Sequence, residues 1–135
     1  MSTKLFISFP VQDLPKSKEF FTALGYSFNA QFTDERAACL IISEHNYVML
    51  VNRAMFEGFA HGKGVVDAKE ANECAISWDV ETREEVDEMV KKAIAAGGKP
   101  HGPPQDHGFM YQHGYEDLDG HIWEPFYMDP THVQK

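Results

Sequence analysis

Apolar residues along the first half alternate, then cluster, then alternate again. Leu5, Ile7 and Phe9 form one face of a strand-like run that ends at Val11, with Phe6 and Ser8 on the other. Asp13 can cap a helix that Pro15 opens, and Phe20, Phe21 and Leu24 give it one apolar side before Gly25 stops it. Strands are expected over 26–32, 37–43 and 47–52.

The same order returns downstream. A strand runs over 73–80, with Cys74, Ile76 and Trp78 on one face and Glu73, Ala75, Ser77 and Asp79 on the other. Thr82-Arg83-Glu84-Glu85 reads as a capping box opening a helix, with Val86, Met89, Val90, Ala93 and Ile94 as its buried stripe and Gly97-Gly98 as its stop. Strands are expected at 99–100, 109–116 and 121–128. The chain therefore reads as β-α-β-β-β twice, an internal duplication. The first module covers 1–53, a Gly, Ala and charge-rich linker 54–72, and the second module 73–128, together one domain.

Composition narrows the function classes. A net charge of −9 opposes binding to nucleic acid, which draws on Lys and Arg contacts to phosphate. No apolar run approaches the roughly 20 residues of a membrane span, and the opening residues lack the apolar stretch of a signal peptide, so a cytoplasmic protein with no membrane partner is expected. Cys39 and Cys74 lack metal or redox spacing and read as buried thiols.

Two motifs carry a resemblance. Phe9-Pro10-Val11-Gln12-Asp13-Leu14, followed by Ser17, Phe20-Phe21 and Leu24-Gly25, resembles the opening of glyoxalase/bleomycin-resistance/extradiol dioxygenase (vicinal oxygen chelate) proteins. Glu116-Asp117-Leu118-Asp119-Gly120-His121-Ile122-Trp123-Glu124 resembles their closing turn and strand. The run Pro104-Gln105-Asp106-His107-Gly108-Phe109-Met110-Tyr111 is similar to one in a subgroup of predicted lactoylglutathione lyases. The resemblance implies an α+β fold in which two βαβββ modules form curved mixed sheets around a small-molecule cleft.

It also implies a site. Metal enzymes of the superfamily place one ligand on each of four strands and chelate adjacent substrate oxygens. Glu124 falls at the closing carboxylate position and Glu73 at the second opening strand, whereas Phe6 and Met49 stand at the equivalent positions of the first half and are non-ligating. A divalent metal is possible with Glu124 and Glu73 as its ligands, though half the coordination sphere is missing. His107, His113 and His121 are the histidines near enough in sequence to repair it.

Without a cation, one of the two carboxylates is suited to act as general base, with His107 as acid or base. Phe6, Met49, Tyr111 and Trp123 are expected to contact the ligand. The function expected is a glyoxalase-like lyase or isomerase, in the manner of a lactoylglutathione (carbon–sulfur) lyase, acting on a small carbonyl compound. The alternative is a metal-free sequestering protein like those of bleomycin resistance, in which aromatics and acidic charge hold a flat cation. A homodimer is expected in either case.

Overall fold

The computed structural model describes residues 3–132. The chain divides into two compact units, residues 1–67 and 68–135. In the first, β1 (Leu5–Val11) leads into α1 (Leu14–Ala23), a short β2 (Phe28–Asn29), a 3-10 turn at Ala30–Phe32, β3 (Ala37–Ile41), β4 (Asn46–Asn52) and α2 (Arg53–Ala60). The second holds β5 (Ala75–Val80), α3 (Arg83–Ala95), β6 (Lys99–Asp106), β7 (Met110–Glu116) and β8 (Ile122–Met128).

Both units carry a four-stranded mixed sheet of one topology, β1-β4-β3-β2 and β5-β8-β7-β6. First and last strands of each unit run parallel, and the remaining pairs are antiparallel. The α+β architecture of two βαβββ modules expected from the residue pattern is the one observed.

Local chemistry accounts for the helix ends. Asp13 caps α1 by accepting from the Lys16 amide at 3.1 Å, and Thr82 caps α3 by accepting from the Glu85 amide at 3.1 Å. The Glu85 carboxylate reaches back to the Glu81 amide at 3.3 Å, one residue earlier than in a standard capping box. Gly25 (φ +100°) and Gly97 (φ +110°) take the left-handed conformation that ends the two helices.

Packing follows from the alternation. In unit 1, Phe9, Val11, Ala38, Leu40, Val48 and Leu50 are buried, as are Leu14, Phe20 and Phe21 of α1. Burying each Phe contributes about 1.5–3 kcal/mol. In unit 2, Val86, Val90 and Ala93 of α3 are buried, as are Tyr115 and Trp123. Ile94, expected in the stripe, is instead 46% exposed because it lies past the edge of that face. Cys39 is buried as expected, whereas Cys74 precedes β5 and is exposed.

Three elements differ from the expectation. Residues 54–60, the start of the expected linker, belong with Arg53 to α2, whose N-cap Asn52 accepts from the Met55 amide at 2.8 Å. The second expected strand of unit 1 shrinks to Phe28–Asn29 because Asn29 accepts from the Gln31 amide and starts the 3-10 turn. The strand expected at 99–100 extends through the proline-rich segment to Asp106 as β6. Strand β6 lies at the sheet edge and its pairing shifts register between His101 and Gln105, so Pro103 and Pro104 remove no ladder bond that the sheet needs.

Candidate functional site in the second unit

The turn Asp117–Gly120 sets the position of β8. Asp117 is buried, and its carboxylate accepts from the amides of Asp119 (2.9 Å) and His121 (3.0 Å) and from the Trp123 indole (2.9 Å). Burial raises the Asp117 carboxyl, against the opposing effects of His121 and those donors. Gly120 has φ +90°, and a Cβ there would lie 2.7 Å from the Lys69 amide nitrogen and 2.8 Å from the Ala68 carbonyl. Two backbones therefore meet at this glycine.

With the turn fixed, strand register decides what faces where. Ser77 pairs with Glu124, Gln112 with Phe126, and His101 with Gly114. Trp123 and Tyr115 point to the helix side, so Glu124, Gln112 and Glu116 share the opposite face. A cavity of about 160 Å³ opens there, lined by Glu124, His101, Gln105, Gln112, His113 and Gly114 among others.

Gly114 makes that cavity. Its backbone is outside the left-handed region, so it is glycine for room. A Cβ would stand 3.0 Å from Glu124 Cγ, 3.2 Å from the Trp123 carbonyl and 3.5 Å from His101 Cβ. Glu124 is half-buried, and no hydrogen bond or ion pair engages its carboxylate among the described residues. On the far side of Gly114, His101 Nδ1 lies 3.2 Å from Glu116 Oε2.

Of the residues expected from sequence, Glu124 and His113 line this cavity. His113 is engaged, with Nε2 3.0 Å from the Gly102 carbonyl oxygen. His107 is exposed in the turn between β6 and β7, beside Phe109. Tyr111 faces α3: its hydroxyl donates to Asp87, which pushes the phenol up to about 12, and the Arg83 guanidinium lies over its ring. Arg83 also bonds Asp106 at 2.9 Å and the Gly108 carbonyl at 2.8 Å, holding the β6–β7 hairpin. Its guanidinium and the Gly108 amide keep Asp106 below the usual carboxylate range, the amide having the larger effect.

Two expectations need correction. Trp123 is fully buried with its indole N–H given to Asp117, so it packs the core and is withheld from ligand. Glu73 precedes β5, four residues before the Ser77 that neighbours Glu124, and the structure does not pair the two carboxylates. His121 is likewise buried, at the closing turn.

Counting from the helix caps Asp13 and Thr82, Ser8 corresponds to Ser77, Phe6 to Ala75 and Lys4 to Glu73. The opening-strand position that holds Phe6 thus recurs as Ala75. Ser8 pairs with Met49 as Ser77 pairs with Glu124, so Met49 is the true counterpart of Glu124. In unit 1, Phe6 is 47% exposed and stacks on Tyr47 at 5.0 Å, while Met49 pairs with Cys39.

The donor set does not fit a metal ion. Among the described residues no three His, Cys, Asp or Glu side chains are grouped to hold one. Phe6, Met49 and Ala75 offer no ligand atom suited to a hard or borderline divalent cation.

Comparison with known proteins agrees with the fold. The family model of the Glyoxalase/Bleomycin resistance protein/Dioxygenase superfamily matches residues 5–124. The hypothetical protein SA1046 from S. aureus is similar at 31% identity and TM-score 0.77, over 94% of this chain and 95% of that one. A glyoxalase/bleomycin resistance protein/dioxygenase family enzyme from Burkholderia phytofirmans PsJN superimposes with TM-score 0.79 at 17% identity, over 94% of this chain and 99% of that one. The fosfomycin resistance protein FosX from Listeria monocytogenes does so with TM-score 0.66 at 18% identity, over 100% and 96%. No curated protein matches. With the duplicated βαβββ topology and a family match over most of its length, the chain belongs to the Glyoxalase/Bleomycin resistance protein/Dioxygenase superfamily.

Proposed function

We propose that this protein is a glyoxalase-like enzyme that moves a proton at a carbon beside a carbonyl group, with Glu124 as the base. The observation that carries this reading is a half-buried carboxylate, unengaged among the described residues, facing a small polar cavity. A carboxylate already satisfied by Arg or by backbone amides would be a poor proton acceptor, and among the described residues Glu124 has neither.

Cavity size supports a small reacting group. At about 160 Å³ it accepts the space of roughly five waters, enough for a carbonyl and its neighbouring carbon but not for a whole large ligand. Gln105 and Gln112 can each donate and accept, which suits a hydroxyl or carbonyl oxygen. In the same reading the chain resembles the lactoylglutathione lyase-like subgroup, works in the cytoplasm and associates as a homodimer. Light scattering that returns a monomer mass at micromolar concentration would count against the dimer.

The experiment is Glu124→Gln, which keeps shape and removes the charge. Wild-type protein should wash deuterium from D₂O into the reacting carbon of the methylglyoxal–glutathione adduct or of dihydroxyacetone. The variant should lose about 10²–10⁴-fold of that rate while its melting temperature moves by no more than a few degrees. A variant as active as wild type ends the reading.

A further inference from the structure

We propose that His101, held by Glu116, is the proton partner of Glu124 across the Gly114 floor, exchanging protons with the substrate oxygens while Glu124 works at carbon. This rests on the reading of Glu124 as the base. It assigns a second catalytic residue, His101, and a positioning residue, Glu116.

Three observations place His101 there. Its strand partner is Gly114, whose missing Cβ would touch both Glu124 Cγ at 3.0 Å and His101 Cβ at 3.5 Å. The two side chains therefore leave their strands on either side of one empty position. Both line the same 160 Å³ cavity, together with Gln112 and Gln105. Finally, Nδ1 of His101 lies 3.2 Å from Glu116 Oε2; an ionised carboxylate can only accept, so in this proposal the ring proton sits on Nδ1 and Nε2 is left for a ligand. Glu116 pairs with Lys99 in the ladder, one position past Tyr115, so the β6–β7 register itself sets this contact.

The chemistry needs two groups. Abstracting a proton from carbon places a negative charge on the carbonyl oxygen, and that charge must be met by a donor when no cation does so. Glu124 takes the proton from the hydroxyl-bearing carbon, and the C–H electron pair becomes the new C=C bond. The carbonyl π pair moves to oxygen, which takes the proton from Nε2 of the imidazolium, giving an enediol and neutral His101. Neutral Nε2 then accepts the proton of the other enediol hydroxyl, and that O–H pair forms the new C=O. The C=C pair takes back the proton held by Glu124 at the adjacent carbon. The carbonyl and the C–H have exchanged carbons, both side chains return to their starting state, and nothing is oxidised overall by an outside reagent.

The test combines NMR with kinetics. In ¹⁵N-edited spectra of the wild-type protein, neutral His101 should be the Nδ1–H tautomer, and Glu116→Gln should shift it toward Nε2–H. With the methylglyoxal–glutathione adduct and dihydroxyacetone as probes, His101→Gln should lower kcat by about 10²–10³-fold with KM within a few-fold. Glu116→Gln should cost about 10-fold in kcat, and the double variant should be no slower than His101→Gln alone, because Glu116 acts through the imidazole. A wild-type His101 in the Nε2–H form overturns the proposal whatever the variants do. So does an His101→Gln protein with unchanged kcat while Glu124→Gln is inactive, in which case the base survives and its partner does not. A wild-type protein inert toward both probes removes the base and the partner together.

Discussion

Replacing Gly114 by Ala adds one methyl group to the floor of the candidate site, and the structure says what that methyl meets. Two of its neighbours are side-chain atoms, Glu124 Cγ at 3.0 Å and His101 Cβ at 3.5 Å; the third is the Trp123 carbonyl oxygen at 3.2 Å. Ordinary carbon contacts begin near 3.5 Å, so Glu124 must swing away by several tenths of an ångström while the carbonyl, fixed in the β7–β8 ladder, cannot. Overpacking of this kind costs about 1–3 kcal/mol, and the stiffer unfolded chain returns about 0.4–1 kcal/mol. The net is a loss of about 0.5–2 kcal/mol, or roughly 2–8 °C of melting temperature for a chain of this size. Activity should suffer more than stability, since a displacement near 1 Å at a reacting group can cost about 10²-fold. Thermal melts and deuterium wash-in on the same preparation test both halves. A Gly114→Ala protein with wild-type rate would show that Glu124 does not work from this position.

Three further outcomes follow from named contacts. Asp117→Ala strands two buried donors and one part-buried donor and should cost about 3–5 kcal/mol, whereas Asp117→Asn keeps an acceptor and should cost less than half as much; chemical denaturation distinguishes them. Gly120→Ala forces a Cβ against the Ala68–Lys69 backbone at positive φ, so soluble yield should collapse or stability fall by more than 3 kcal/mol. Tyr111 holds its proton to about pH 12, against about 10 in the unfolded chain. Its stabilising contribution is therefore present below pH 10 and lost between 10 and 12, and Tyr111→Phe should show no such alkaline loss in pH-dependent melts.

The duplicated fold was legible because its signals are local. Caps at Asp13 and Thr82, stops at Gly25 and Gly97, and period-two runs in β1 and β5 each depend on a few adjacent residues. Glu124 was legible through the turn that precedes it. What escaped was whatever depends on pairing between distant strands. His101 lies just past the expected strand 99–100, in a stretch of Pro and Gly, and only the edge position of β6 and its register shift let the strand continue opposite Gly114. Trp123 alternates correctly with Glu124, but nothing local says that its indole is bound to Asp117. Glu73 lies two residues before the counterpart of Phe6, which is Ala75 by distance from the caps Asp13 and Thr82.

Each sheet closes its parallel pair between the first and last strands of its own unit, β1 with β4 and β5 with β8. During synthesis this imposes an order. The ladder of the amino-terminal unit is complete once Asn52 has left the ribosome, before any strand of the next unit exists. The second unit must instead wait for nearly the whole chain, because β5 stays an unpaired edge on the β8 side until Ile122–Met128 emerges. A nascent chain stalled short of residue 122 should therefore hold one finished sheet and one exposed, aggregation-prone strand, Ala75–Val80.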